Sequence, residues 1–337
     1  MTPAIFGLAG PVLSAGERDF FRDADPAGYI LFGRNVETRA QLRALTDSLR
    51  AIHGRERLFV CIDQEGGRVQ RMRPPHWPAY PPAEVFDRLY ECAPISAIAA
   101  ARANAEALGR DLAEVGISVD CAPVLDVRQA QAHAVIGDRA FGSEPLRVAA
   151  LGRAVLDGLA AAGVAGVLKH LPGHGRAGAD SHQALPTVTA TPAELEIDLA
   201  PFVALAGAPI AMTGHIRFTA WDAARPATLS PLVIAGIIRQ RIGFSGLLLT
   251  DDIDMAALSG PVPERAREAI AAGCDLVLNC WAKMADMVGI AAALPAMGAA
   301  TAARLARALA AADIEPAPET HAELLAKRDA LLAPVPG

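Results

Sequence analysis

The densest group of chemically active side chains is Lys169-His170-Leu171-Pro172-Gly173-His174-Gly175-Arg176-Ala177-Gly178-Ala179-Asp180-Ser181-His182, with three of the eight histidines. Pro172, Gly173, Gly175 and Gly178 work against a regular helix or strand, so this is a shaped loop. Three chemistries are open to it. His170, His174, Asp180 and His182 could ligate a metal, the loop could supply a general acid/base, or its histidines could simply hydrogen-bond the loop together. His170 and His174 flank Pro-Gly and do not share one helical face as a helical metal-binding pair does. For acid/base work, Asp180 and His182 are the best pair. A carboxylate two residues from an imidazole on a bent loop can hydrogen-bond it and favour the imidazolium. A histidine so held can protonate a leaving group and later take a proton from water.

Asp251 is the first acid beyond the apolar run 246–249, which puts its carboxylate at the end of a strand beside low-dielectric walls. There it suits a nucleophile or a stabiliser of developing positive charge. Asp252 and Asp254 are its rivals, and both also read as acids at the start of a following helix, favoured by the helix dipole. Asp63, Arg71, Arg139 and Lys169 bring both signs of charge. They suit either a polyhydroxylated neutral ligand or a set of rim salt bridges.

What must position these groups is a repeated strand–helix unit. Short continuous apolar runs at 5–8, 28–31, 58–62, 116–119, 166–168, 210–212, 246–249 and 276–278 read as parallel strands buried on both faces. Helical stretches lie between them, at 40–52, 95–115, 147–162, 232–241 and 264–272. Thr191-Pro192-Ala193-Glu194 is a helix start with a capping box, Ser230-Pro231 opens another helix, and Gly163 and Gly273 sit where left-handed caps belong. Eight such units favour a TIM-type (β/α)₈ barrel over a doubly wound sheet. Polar clusters follow five of the runs in register, which is what the active face of a barrel requires. The barrel is expected to occupy residues 1–313 as a single catalytic domain. A C-terminal extension, 314–337, begins Pro-rich and ends in a short helix, capped at Thr320–Glu323, that packs on the barrel.

Composition excludes several classes. The 337 residues carry 31 Lys+Arg against 37 Asp+Glu, a net charge of −6 with no basic run, which argues against a nucleic-acid partner. At 52% hydrophobic and 20% charged, the chain has ample material for a large core. Five scattered cysteines without a CxxC read as reduced core residues rather than a disulfide framework. The N-terminus lacks a basic region and is broken by Pro and Gly, and no membrane-like apolar stretch occurs. A cytoplasmic, monomeric enzyme without a membrane partner is expected.

The runs Asp63-Gln-Glu-Gly-Gly-Arg-Val-Gln-Arg71, Gly137-Asp-Arg139-Ala-Phe-Gly142, Lys169-His170…Asp180-Ser-His182 and Thr250-Asp251-Asp252…Met255 together resemble glycoside hydrolase family 3. The resemblance runs from about residue 7 to residue 280 and is greatest to its single-domain bacterial cytoplasmic β-N-acetylglucosaminidases of peptidoglycan recycling. It implies a retaining mechanism in which Asp251 is the nucleophile and His182 the acid/base on a mobile loop, with Asp180 as its dyad partner. It places Asp63, Arg71, Arg139, Lys169 and His170 on sugar-contacting positions. It implies a substrate with GlcNAc β-1,4-linked to 1,6-anhydro-N-acetylmuramic acid, with or without peptide, and neither metal nor cofactor. Departures from the family pattern fall on the loop: Leu171 where Phe is usual, and Arg176-Ala177 where Asp-Thr is usual. Thr250 also stands where Ser is common. The alternatives are a metal-dependent amidohydrolase-type barrel, motivated by the histidines of the loop, and a non-catalytic sugar-binding barrel.

Overall fold

The computed structural model describes residues 1–129, 135–311 and 318–335. Eight parallel strands close into a barrel in chain order: β1 (Thr2–Gly7), β2 (Pro26–Leu31), β3 (Phe59–Ile62), β4 (Val119–Asp120), β5 (Ala165–Leu171), β6 (Ile210–Thr213), β7 (Leu247–Asp252) and β8 (Leu276–Asn279). The last strand pairs with the first through Ala4–Val277, Ile5–Leu278 and Phe6–Asn279. This is the (β/α)₈ barrel that the alternating runs demand.

The strands read as unbroken apolar runs because both of their faces are buried. Ile5, Ile30, Phe59, Cys61, Val119, Val167, Ile210, Met212, Leu247, Leu249, Leu276 and Leu278 form one cluster that fills the barrel. Their alternate neighbours Phe6, Tyr29, Leu31, Val60, Ile62, Leu168, Ala211, Leu248 and Val277 belong to a second cluster under the surrounding helices. Side chains alternate in direction along a strand. Continuing the inward set by two residues therefore aims Asp63 after Phe59 and Cys61, Lys169 after Val167, and Asp251 after Leu249 into the mouth at the strands' C-terminal ends.

The helices α1 (Ala15–Ala24), α2 (Arg39–His53), α3 (Ala83–Cys92), α4 (Pro94–Glu114), α5 (Pro145–Ala161), α6 (Pro192–Ala204), α7 (Val262–Ala272), α8 (Met284–Ala293) and α9 (Ala299–Ala310) ring the barrel. The Thr191 box caps α6 as its sequence requires: the hydroxyl accepts from the Glu194 N–H while the Glu194 carboxylate accepts from the Thr191 N–H. Gly163 and Gly273 are left-handed, with φ of 79° and 116°.

Three local expectations are corrected. The fourth strand begins at Val119 rather than Gly116, because Gly116 turns the chain with φ of 77° and the Ile117 N–H is spent on the Leu112 carbonyl closing α4. The segment Val233–Arg241 is π-helical, and the Ile242 N–H reaches back five residues to Ile237. Asp252 and Asp254 start no helix. Asp252 lies at the end of β7, turns follow, and the next helix waits until Val262, beyond Pro261.

The boundary expected between residues 313 and 314 lies outside the described residues. Beyond it, α10 (His321–Leu332) packs on α3 and α4. Leu324 is buried, Arg328 donates to Asn104 at 3.2 Å, and Tyr80 and His321 both reach Asp111. All five cysteines are free; four are buried and Cys92 is exposed. Among the described residues no helix is long and apolar enough to cross a membrane.

Candidate active site

A cleft of about 370 Å³ opens at the C-terminal end of the barrel. Asp63, Arg71, Arg139, Lys169, His170, Asp180, His182 and Asp251 all line it. The structure thus brings together every side chain of the expected site, with His174 and Asp252 beside them, while Asp254 is not among the lining residues.

On one wall, two acids and three bases interlock. Lys169 Nζ, almost wholly buried, lies 2.9 Å from Asp63 and 2.6 Å from Glu65. Arg139 grips Glu65 through two parallel bonds of 2.8 Å, and Arg71 reaches Asp63 at 3.2 Å. Burial by itself would push both carboxyls up. The facing cations overcome it, holding Glu65 at about 2 and Asp63 lower still. Burial would likewise strip the proton from Lys169, but Asp63 and Glu65 hold its ammonium charged well above the usual lysine range. Asp63, Glu65, Lys169 and Arg139 are therefore ionised at neutral pH. Arg71 also covers the Phe32 ring, 5.4 Å from its centroid.

The floor is set by β5 and the loop after β4. Asp126 is fully buried. It accepts from the ring Nδ1 of His170 at 2.7 Å and from the backbone N–H groups of His170 and His174, at 3.2 and 2.6 Å. A carboxylate can only accept, so His170 carries its proton on Nδ1 and turns Nε2 outward. Despite burial, the His170 and His174 contacts hold Asp126 at about 2.

Asp251 ends the inward set of β7, and its Oδ1 accepts the Asp252 N–H at 2.8 Å. Burial opposes its charge, but His170, His215 and the Asp252 N–H outweigh it, so the carboxylate titrates below the usual range. Its neighbour Asp252 is set the other way. Burial pushes that carboxyl up to about 7, while its Oδ1 accepts from the Asp254 and Cys280 N–H groups. Buried His215 supports the strand end from behind: Nε2 donates to the Asp252 carbonyl at 2.9 Å and Nδ1 accepts from Thr228 at 2.7 Å.

The loop from 172 to 186 closes over this floor. Gly175 passes so close to Val127 that a Cβ there would lie 1.9 Å from its carbonyl oxygen. Ser181 is buried, bonded through its hydroxyl to His174 Nε2 at 3.2 Å and through its carbonyl to the Ala257 N–H. Burial pushes the His174 imidazole down to about 4, so it is neutral in this role. Two residues on, His182 is 65% exposed, with Nδ1 at 2.8 Å from Asp180 Oδ1 and Nε2 left for other partners. The pair expected from the Asp-Ser-His spacing is formed. Among the described residues no group of three or more His, Cys, Asp or Glu side chains is arranged to hold a metal ion.

Arg176, one of the loop's departures, anchors it. Nε donates to the buried Asp198 on α6 at 2.6 Å, and Nη2 to the Glu194 carbonyl at 3.0 Å. Arg176→Ala leaves a buried acid without its donor. It is expected to lower stability by about 2 kcal/mol, the scale of an orphaned charged group, and to speed proteolysis within 176–186. Unchanged denaturant midpoint and cleavage rate would remove the anchor.

Four groups of the site were not singled out in the sequence: Glu65, Asp126, His215 and Trp281. The first three lie in the polar runs that follow strands, so the register signal contained them. Their partners, drawn from other strands, are what gives them a purpose.

A barrel whose mouth combines an ionised acid, an imidazole–carboxylate pair and a ring of charged hydrogen-bonding groups is built for a hydroxylated ligand. Comparison with known proteins identifies the class. Residues 13–310 match the model of the glycosyl hydrolase family 3 N terminal domain, and the chain belongs to that family; it is a glycoside hydrolase. The amidohydrolase-type and non-catalytic alternatives give way to this. A protein named β-hexosaminidase from Alkalilimnicola ehrlichii is 41% identical over 283 residues, covering 82% of this chain and 80% of the relative. Another, from Xanthomonas campestris pv. campestris, is 40% identical over 284 residues, covering 82% and 83%. NagZ from Neisseria gonorrhoeae, solved with N-trifluoroacetyl-D-glucosamine, superposes with a TM-score of 0.85 at 31% identity over 99% of this chain and 97% of that one.

Proposed function

We propose that this glycoside hydrolase is an exo-acting, retaining β-N-acetylglucosaminidase. It releases terminal β-1,4-linked GlcNAc from GlcNAc-1,6-anhydro-MurNAc, with or without peptide, and acts as a cytoplasmic monomer without metal or cofactor. The observation that carries the reading is the placement of ionised Asp251 on the floor of the cleft that the Asp180–His182 pair also lines. The β-hexosaminidase names of its relatives support the sugar class.

In this mechanism the Asp63–Lys169–Arg71 wall and His170 hold the hydroxyls of the GlcNAc ring. The Asp251 carboxylate attacks the anomeric carbon as the bond to the leaving oxygen breaks, and His182 delivers its proton to that oxygen. A covalent β-linkage is thereby exchanged for an α-linked glycosyl ester. Neutral His182 then takes a proton from water as the water's oxygen displaces Asp251, restoring the β configuration. Asp180 stabilises the imidazolium and fixes its tautomer, so that Nε2 does the proton transfer.

His182→Ala tests the division of labour. On the disaccharide, turnover is expected to fall by ~10²–10⁴-fold, the usual contribution of a positioned acid/base. On an aryl glycoside with a good leaving group, the first step survives and the second stalls. Intact-protein mass spectrometry should then show the enzyme one N-acetylglucosaminyl unit heavier. Full disaccharide turnover by this variant would end the assignment.

A further inference from the structure

Trp281 lies two residues beyond the end of β8, lines the cleft and is 61% exposed. Nothing in the chemistry above uses it. An indole left in water is a large apolar face whose hydration is unfavourable, and aromatic faces of this kind are common anchors at binding surfaces.

Its backbone is fixed on both sides. The Cys280 N–H donates to Asp252 Oδ1 at 3.1 Å, and the Cys280 carbonyl accepts from Arg34. On the other side Ala282 is held left-handed at φ 55°, a conformation that side-chain-bearing residues adopt at a cost. Lys283 then faces Asp254 at 3.7 Å and Asp286 at 3.9 Å, and its carbonyl accepts the Met287 N–H that starts α8. The ring is thus presented from a fixed backbone, so less freedom is lost when a ligand covers it.

Depth within the cleft says which part of a ligand it meets. Lys169 and Glu65 are nearly inaccessible and Asp63 is largely so, while His182 is 65% exposed and Trp281 61%. The ionic wall therefore faces the sugar that enters deepest. The imidazole that must reach the glycosidic oxygen lies toward the mouth, and whatever leaves with that oxygen lies further out still. We propose that Trp281 is a specificity-determining platform on which the leaving-group sugar stacks, the C–H-bearing face of that ring meeting the negative face of the indole. The inference rests on the exo-glycosidase reading and adds to it the residue that recognises the leaving group.

The test compares substrates that differ only beyond the scissile bond: methyl β-N-acetylglucosaminide and N,N′-diacetylchitobiose. In Trp281→Ala, kcat/KM for the disaccharide should fall about tenfold, carried by KM, while the methyl glycoside changes by less than about twofold. Trp281→Phe should retain most of the disaccharide preference. Equal losses on both substrates, or none on either, would overturn the platform and leave the exo-glycosidase reading standing. If the wild type cleaves neither substrate, that reading falls. The platform is then decided by tryptophan fluorescence in Asp251→Asn titrated with the disaccharide. The other indoles report little, since Trp77 is buried and Trp221 is packed on Phe218. An emission shift with the disaccharide but not with GlcNAc, abolished in the Asp251→Asn/Trp281→Phe double variant, supports stacking; no shift overturns it.

Discussion

Asp251→Asn is expected to lose on the order of 10⁴-fold or more in turnover of the disaccharide, as removal of a central catalytic group does in other hydrolases. The amide has the shape of the carboxylate but neither its charge nor its nucleophilicity. Under the proposed mechanism the change removes bond formation to the anomeric carbon while leaving the barrel intact. Among the described residues only one oxygen of Asp251 is committed, to the Asp252 N–H, so the amide oxygen can keep that contact. The melting temperature should move by no more than ~4 °C, the shift that about 1–2 kcal/mol produces in a domain of this order of size. Asp251→Ala supplies a sharper readout. Azide can enter the space vacated by the side chain and form its bond to the anomeric carbon as the leaving group departs, which yields the α-glycosyl azide. Retention of about a tenth of wild-type turnover by Asp251→Asn would exclude the covalent route, because no nucleophile is lost so cheaply.

Lys169→Met carries the second large effect, on stability as well as binding. The ammonium is almost fully buried between Asp63 and Glu65, and removing one member of a buried ionic group costs about 3–5 kcal/mol because the partners remain as uncompensated charges. The melting temperature should fall by about 5 °C or more, and affinity for GlcNAc should fall with it. Adding Asp63→Asn should recover part of the loss, since one of the two orphaned charges is then gone; a double-mutant cycle measures that coupling. The pH dependence has a definite sign. Glu65 is held at about 2 against its ordinary 4.5, so its contribution is present above 4.5 and is lost as pH falls toward 2. In Lys169→Met the remaining acids are protonated more readily. The deficit relative to wild type should therefore shrink on acidification, and a deficit that grows would contradict this account.

The barrel was legible because burial on both faces leaves parallel strands with no polar alternation, and Ile5–Leu8 or Leu247–Leu249 therefore stand out from the helices around them. Where local backbone geometry competes with apolar patterning, the pattern misleads. Gly116 and Ile117 belong to the end of α4 although they read as strand, and Asp254 belongs to a turn although acids favour helix starts. At the site, the register of polar groups after strands marks Asp63, Lys169 and Asp251, and side-chain alternation explains why those three point inward. The pairing of Arg139 with Glu65, 74 residues apart, depends on which strand ends barrel closure makes neighbours. Asp126 could be seen in the run after the fourth strand, but its hold on His170 could not. Trp281 is a single aromatic with no periodic partner, so its exposure at the mouth had no signature in the chain.

In the proposed mechanism the attacking acid lies next to the end of a strand whose side chains fill the barrel, whereas the proton donor sits on a separate excursion fastened by Arg176, Ser181 and the tight passage of Gly175. Two mechanical parts of unequal stiffness thus meet at one bond. Local opening of the excursion can withdraw the imidazole without disturbing the strand, so the enzyme can fall idle without unfolding.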